Sequence, residues 1–206
     1  MVIIITVVLL SFFIWMRTSS YKAKQKILKD KEIFWSKERQ ANSTRKVDIS
    51  GLDYIKIPVE RLPFTETKEE ELLSLQKTVK NLSQQQILNL TGISNTDLKL
   101  NYGVANITFL SACDINYTHL VQTLYKWGEY LYNHKQISEA VKVLEFGVEC
   151  KTDISKHYIL LATIYKEMGT LEKIDDMVLI VESLQTLLKD SILKSLKEIK
   201  LSSYLV

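Results

Sequence analysis

The sequence has few residues that bend, break or cross-link a chain. Among its 206 residues are six glycines, two prolines and two cysteines. So little glycine and proline argues against a disordered chain and against a β-fold that is rich in turns. The two cysteines, Cys113 and Cys150, form no spaced disulfide framework. They fit a reducing compartment, where a free cysteine packs as a small apolar side chain.

The sequence also lacks the short motifs of phosphate, dinucleotide and zinc enzymes. It contains no G-x-x-x-x-G-K-[ST], no G-x-G-x-x-G and no H-E-x-x-H, and His119, His134 and His157 stand apart from one another. Cys150 and His157 leave a Cys–His nucleophile as one interpretation. The favoured interpretation is that Cys150 is a buried cysteine and His157 a histidine at the start of a helix, with no chemistry between them. We therefore expect no enzymatic activity, no metal and no cofactor.

Charge is missing from the side chains of the opening segment, MVIIITVVLLSFFIWM. A helix of that length covers about 24 Å, and continuing it to residue 20 brings it to about the 30 Å of a hydrocarbon core. We therefore predict a transmembrane anchor over residues 1–20, with Trp15 and Tyr21 near the interface. A cleaved signal peptide is the alternative, but it needs a basic start and an A-x-A-like site, and both are missing.

Positive charge follows the apolar run at once. Residues 17–47 hold ten Lys/Arg and three Asp/Glu, whereas the rest of the chain is mildly acidic. The positive-inside rule then places the N-terminus outside and the C-terminal body in the cytoplasm. A local basic block predicts a surface contact and no nucleic-acid partner. The cations predicted to meet anionic headgroups are Arg17, Lys22, Lys24, Lys26, Lys29 and Lys31.

Residues 21–43 are predicted to continue as a basic juxtamembrane helix. Its apolar residues recur at intervals near seven, so this helix either lies on the headgroups or is a stalk whose apolar residues touch the folded body; the second is favoured. Residues 44–64 contain Gly51, Pro58 and Pro63, which predict an extended strap along the helical body. The side chains expected to be buried by the strap are Leu52, Ile55, Ile57, Leu62 and Phe64.

Helical patterns resume after the strap. Residues 65–112 are predicted to form an N-terminal helical cap, with Thr67 and Glu70 as a capping box and Ser94 or Asn95 capping a second helix. Asparagine is frequent over this stretch. Its side-chain amides could line a polar site, but the favoured interpretation is that they cap helices and turns. Asp114 or Asn116 is the expected cap of the helix that follows.

The second half of the chain contains one helical pattern twice. A shift of about 34 residues pairs apolar or small residues in both helices of each copy. The pairs are Leu124 with Tyr158, Trp127 with Leu161, Gly128 with Ala162, Leu131 with Tyr165, Ala140 with Ile174, Leu144 with Val178 and Gly147 with Val181.

This pattern resembles that of tetratricopeptide-repeat (TPR) proteins, and it covers about a third of the chain. The resemblance implies two repeats over residues 113–189, with Gly169 at a turn between helices. Two units need further helices to complete a core, and residues 190–206 offer a closing helix. Its apolar stripe is Ile192, Leu193, Leu196 and Ile199. The predicted fold is thus all-α: a TPR-like stack of helical hairpins with capping helices, preceded by a transmembrane helix and an extended strap.

The resemblance also implies a function, the binding of an unidentified protein or peptide partner in a groove lined by the first helix of each unit. The segments GLDYIKIPVERLPF and NLTGISNTDLKLNYGVAN are similar to uncharacterised membrane proteins of low-GC Gram-positive bacteria. In TPR proteins that grip a carboxylate the groove pairs Lys with Asn, and here Glu129 stands in place of such an Asn. The expected groove residues are Gln122, Tyr125, Lys126, Glu129, Lys156, Ile159 and Thr163.

These features favour a single-pass protein of the cell membrane that acts as a scaffold or adaptor through a cytosolic groove. Two alternatives remain: an exported envelope or secretion factor, and a structural subunit of a membrane complex that forms homo-oligomers.

Overall fold

A computed structural model describes the backbone of residues 2–202 and the side chains of residues 6 and 10–202. Over these residues the chain forms helices and turns and no β-strand, so the prediction of an all-α protein is confirmed. A short 3-10 helix occupies Val104–Asn106. The α-helices are α1 (Val2–Asn42), α2 (Glu70–Leu82), α3 (Asn95–Tyr102), α4 (Ile107–Asn133), α5 (Ile137–Glu149), α6 (Ser155–Met168), α7 (Glu172–Glu182) and α8 (Lys189–Leu201).

The chain divides into two compact units. The first combines the chain up to Asp48 with Ser94–Ile107, and the second combines Ile49–Ile93 with the chain from Thr108 onward. The first unit is therefore discontinuous in sequence.

In the first unit, the end of α1 packs against α3. Lys37 pairs with Asp97 at 2.7 Å, and the Glu38 carboxylate accepts hydrogen bonds from the Thr96 hydroxyl, at 2.7 Å, and from the Lys99 ammonium. These pairs lower the pKa of Glu38, chiefly through Lys99, and that of Asp97, chiefly through Lys37. The predicted boundary between residues 43 and 44 therefore lies inside one packed unit.

The first unit also includes the segment after α1. Val47 donates its backbone N–H to the Tyr102 carbonyl at 3.1 Å. The buried Asn106 amide donates to the carbonyls of Val47, at 2.8 Å, and Tyr102, at 2.7 Å. Ser94 caps α3 by accepting from the Asp97 N–H at 3.2 Å, which confirms the first of the two caps proposed there.

The predicted anchor lies at the start of α1. Most of its apolar residues, 1–5 and 7–9, are outside the residues whose side chains are described. Among the residues whose side chains are described, no helix is both long and apolar enough to cross a membrane. Farther along α1, the apolar side chains of Ile27, Leu28, Phe34 and Trp35 are exposed.

In the second unit, two non-helical segments lie against the helices. Residues 49–64 are the part of the predicted strap (44–64) that belongs to this unit, and we keep the name strap for them. Leu62 is buried, Ile55, Ile57 and Phe64 pack against the core, and Leu52 is half-buried. The strap meets the second segment, residues 84–93, where the Ile55 N–H donates to the Ile87 carbonyl at 2.9 Å.

The second segment is held by side chains of α4. Leu90 donates its N–H to the Asp114 carboxylate at 3.2 Å, and the Asn116 amide donates to the Gln86 carbonyl at 3.0 Å. The prediction that Asp114 or Asn116 caps a helix is therefore wrong, because α4 continues through both residues. The capping box at Thr67 and Glu70 is also wrong: Glu70 is the first residue of α2, and its N-cap is Glu69.

The turns between α4 and α5 and between α6 and α7 repeat one geometry. Lys135 (φ 62°) and Gly169 (φ 74°) both adopt left-handed backbone, and they occupy equivalent positions in the two copies of the repeat. The Gln136 N–H donates to the Leu131 carbonyl, and Thr170 donates to Tyr165 in the same way, both at 2.9 Å. Such bonds satisfy carbonyls left free at a helix end. The predicted turn at Gly169 is confirmed.

The core of the second unit is built from the paired positions. Of the seven pairs found in the sequence, all residues are buried except Val178, which packs against the core. Gly128 lets α4 approach α5 closely, since a Cβ there would lie 2.5 Å from Leu144 Cδ2. At the other end α8 packs against α6 and α7, with Ile192 and Leu196 fully buried.

Candidate protein-binding surfaces

The predicted groove residues are spread over α4 and α6. Gln122 and Lys126 are exposed on α4, and Lys156 and Ile159 are exposed at the start of α6. Thr163 is half-buried, and its hydroxyl donates to the Ile159 carbonyl at 2.8 Å. These side chains offer cations and one aliphatic surface to a partner.

The side chains of Tyr125 and Glu129 are hydrogen-bonded to each other. The Tyr125 hydroxyl donates to the Glu129 carboxylate at 2.5 Å, and burial, assisted by Glu129, raises the pKa of Tyr125 to about 12. The Tyr125 ring centroid lies 6.4 Å from that of His157, so this tyrosine joins α4 to α6. Glu129 therefore serves a tyrosine of its own helix, where a carboxylate-gripping groove would present an Asn.

His157 lies beneath this surface, fully buried. Its Nε2–H donates to the Leu144 carbonyl at 2.7 Å, and its Nδ1 has no hydrogen-bond partner. Burial lowers the pKa of His157 to about 4, outweighing the bond to Leu144, so the ring is neutral at pH 7. Gly147 makes room for it, since a Cβ at that position would collide with the imidazole.

The Cys–His interpretation is not supported by this geometry. Neither ring nitrogen of His157 hydrogen-bonds to the Cys150 thiol, and burial raises the pKa of Cys150 to about 12. Cys113 is also buried, and burial raises its pKa. Both thiols are therefore protonated and inert at neutral pH. In the part of the chain that the structure describes, no group of three His, Cys, Asp or Glu side chains is placed to hold a metal.

A cleft of about 320 Å³ lies where the strap, residues 84–93 and the ends of α5 and α7 converge. Asn89 organises its wall: its amide donates to the Tyr117 hydroxyl at 2.9 Å and to the carbonyls of Cys150 and Lys151, each at 3.3 Å. The sequence favours caps and turns for the asparagines, and the Asn89 Oδ1 does accept from the Thr91 N–H at 2.9 Å, as in such a turn. Its amide fits the other interpretation, a polar site. The partners of the amide could not be predicted, because all three are distant in sequence.

A second cleft, about 430 Å³, lies between the end of the strap and α2. We call it the α2 groove; it was not predicted. The sequence feature that could have indicated it is the spacing of Leu73, Lys77 and Lys80, which puts one leucine and two lysines on the same face of a helix. Its lining residues are Phe64, Thr65, Glu66, Leu73, Gln76, Lys77 and Lys80.

Comparison of the chain with protein-family models, with curated proteins and with solved structures found no match.

Proposed function

We propose that the chain is a membrane-anchored adaptor, in which a TPR-like helical module binds another protein beside the membrane. The observation that carries the proposal is the repetition of one helical pattern. It is present in the sequence, in the burial of the paired positions and in the hydrogen bonds of the two inter-helix turns. A repeat of two helices cannot bury its apolar face alone, and stacked helical hairpins with a period of about 34 residues are typical of protein-binding modules.

The anchor is proposed from the sequence of residues 1–20 and from the basic residues that follow. Described residues of α1 support it: Phe12, Phe13, Trp15 and Met16 are exposed, although they are large and apolar. Large exposed apolar surfaces are typical of sites that meet a membrane or a partner. Arg17, Lys22, Lys24, Lys26, Lys29 and Lys31 are all exposed on the same helix and suited to anionic headgroups.

Topology is tested by protease access in intact cells. With the proposed orientation, a C-terminal epitope tag resists external protease until the membrane is permeabilised. Digestion of the tag in intact cells contradicts the cytoplasmic placement and favours the exported alternative.

The partner surface is tested in the full chain, because residues 37–42 pack against α3 and a fragment starting at 44 would lose that contact. A photo-crosslinking residue replaces the exposed Ile159, and Lys126→Ala with Lys156→Ala removes the two cations. Tyr125 stays, because it packs beside His157. We expect one specific crosslinked partner, lost in the double variant. It is retained in a control with Lys142→Ala and Lys197→Ala, two exposed lysines on α5 and α8. Unchanged crosslinking in both variants contradicts the groove. Crosslinks to the chain itself alone favour the structural-subunit alternative.

A further inference from the structure

The α2 groove has a preformed, largely apolar floor. Leu73, Gln76, Lys77 and Lys80 lie at i, i+3, i+4 and i+7, so they line one face of α2 over about 10 Å. The buried Gln76 side chain accepts from the Thr65 N–H at 3.2 Å, which holds the end of the strap against α2. The groove therefore needs no rearrangement of the strap to exist.

Leu73 is the apolar residue of α2 that does not join the core. Leu72, Val79 and Leu82 are buried, whereas Leu73 is 51% exposed beside the half-buried Phe64 ring. A single exposed leucine is ordinary, but one that lines a concave site with an aromatic ring offers an anchor position for a partner's apolar side chain.

The lining of the α2 groove carries two cations and one anion. Lys77 and Lys80 are exposed, and neither has an ion-pair partner among the residues that the structure describes. Glu66 lines the groove as well. A complementary ligand therefore packs an apolar side chain on Leu73 and Phe64 and places its carboxylates beside the two lysines.

We propose that the α2 groove binds an acidic amphipathic segment of a partner protein. An apolar side chain of that segment packs on Phe64 and Leu73, and its carboxylates pair with Lys77 and Lys80. This is helix-in-groove recognition on a surface separate from the α4 and α6 residues of the proposed function. It is therefore independent of whether those residues bind a partner.

Trp127 provides a reporter for the site. Its ring is fully buried with the centroid 5.0 Å from that of Phe64, so a ligand that packs on Phe64 changes the surroundings of Trp127. The other two tryptophans, Trp15 and Trp35, are on α1 and serve as internal references. Incorporation of 5-fluorotryptophan gives each a separate fluorine resonance.

The experiment uses the full chain in nonionic detergent micelles. The probe is a helical peptide of about four turns with leucines at i and i+4 followed by two glutamates. Matched peptides carry glutamine or lysine in place of the glutamates. Two exposed ion pairs, each worth about a twofold to fivefold change in Kd, predict about tenfold tighter binding of the acidic peptide than of the neutral one at low salt. Only the Trp127 resonance is expected to shift.

Charge reversal gives the matched control. In Lys77→Glu with Lys80→Glu, we expect the preference to invert toward the lysine peptide, whereas Lys142→Glu with Lys197→Glu keeps the wild-type preference. The proposal is overturned by no binding up to millimolar peptide, by equal binding of the three peptides, or by binding that leaves the Trp127 resonance unmoved. A Trp127 shift caused by an added acyl-chain lipid alone also overturns it, since the occupant would then be a lipid.

Discussion

We expect acid to lower the free energy of unfolding of the second unit through His157, and the size of the loss follows from the burial of the His157 ring. The unfolded chain protonates this ring near its ordinary pKa of 6.5, whereas the folded chain does so only near pH 4, because a charged ring would be buried with no partner at Nδ1. The unfolded state therefore binds the proton first. The stability is fully present above pH 6.5 and is lost as the pH falls toward 4. Between pH 7.5 and pH 5 the loss is about 2 kcal/mol, since one pKa unit corresponds to about 1.4 kcal/mol.

The assay is urea unfolding at pH 7.5 and pH 5, followed by near-ultraviolet circular dichroism. His157→Gln keeps an N–H donor for the Leu144 carbonyl but has no proton to gain. We expect its free energy of unfolding to be lower at both pH values and to fall by about 2 kcal/mol less between them than that of the wild type. His119→Gln, on the exposed side of α4, controls for the His-to-Gln substitution itself. Equal pH dependence in wild type and His157→Gln, or an NMR titration of the His157 ring near pH 6.5, refutes the reasoning.

Three further outcomes are expected. Gly147→Ala makes a Cβ collide with Cε1 of the His157 ring, and Gly128→Ala brings one to 2.6 Å from the Cγ of the fully buried Leu144. Each substitution lowers the free energy of unfolding by about 2 kcal/mol, and an unchanged value in urea titrations would contradict this packing. Asn89→Ala removes the donor shared by two carbonyls and a hydroxyl and destabilises by about 1–3 kcal/mol, measured by urea unfolding, without changing helix content. Deleting residues 190–206 uncovers apolar side chains of α6 and α7 and lowers the melting temperature, whereas an unchanged value would show that α8 does not close the core.

The helices could be predicted from the sequence where the spacing of apolar residues and the residues typical of helix ends indicate the same boundaries. The pairs that recur between the two copies identify positions that prove to be buried, and Gly169 marks a turn because glycine readily adopts left-handed backbone. Lys135 adopts the same left-handed backbone without being a glycine, so the local sequence does not indicate a turn at this position. The two turns therefore look different in sequence although their hydrogen bonds are the same.

The non-helical segments were predicted less well, for a physical reason. Asp114 and Asn116 have the side chains of helix caps, yet they bind backbone groups of residues 86 and 90 from the middle of α4. An Asn or Asp side chain carries the same donors and acceptors in both roles, and only the tertiary structure decides which backbone group it meets. The same ambiguity left the sequence unable to choose between a turn and a polar site for Asn89, which fits both. The α2 groove was missed because it depends on contacts between distant residues.

The discontinuity of the first unit has a consequence for the order of events during synthesis. The residues of α1 that pair with α3, Lys37 and Glu38, leave the ribosome well before their partners Asp97 and Lys99. At translation rates of about 5–20 residues per second, an interval of about 60 residues lasts roughly 3–12 seconds. Throughout it the end of α1 has no α3 to pack against. The first unit is therefore completed only once α3 has been synthesised, after the strap, α2 and residues 84–93 of the second unit.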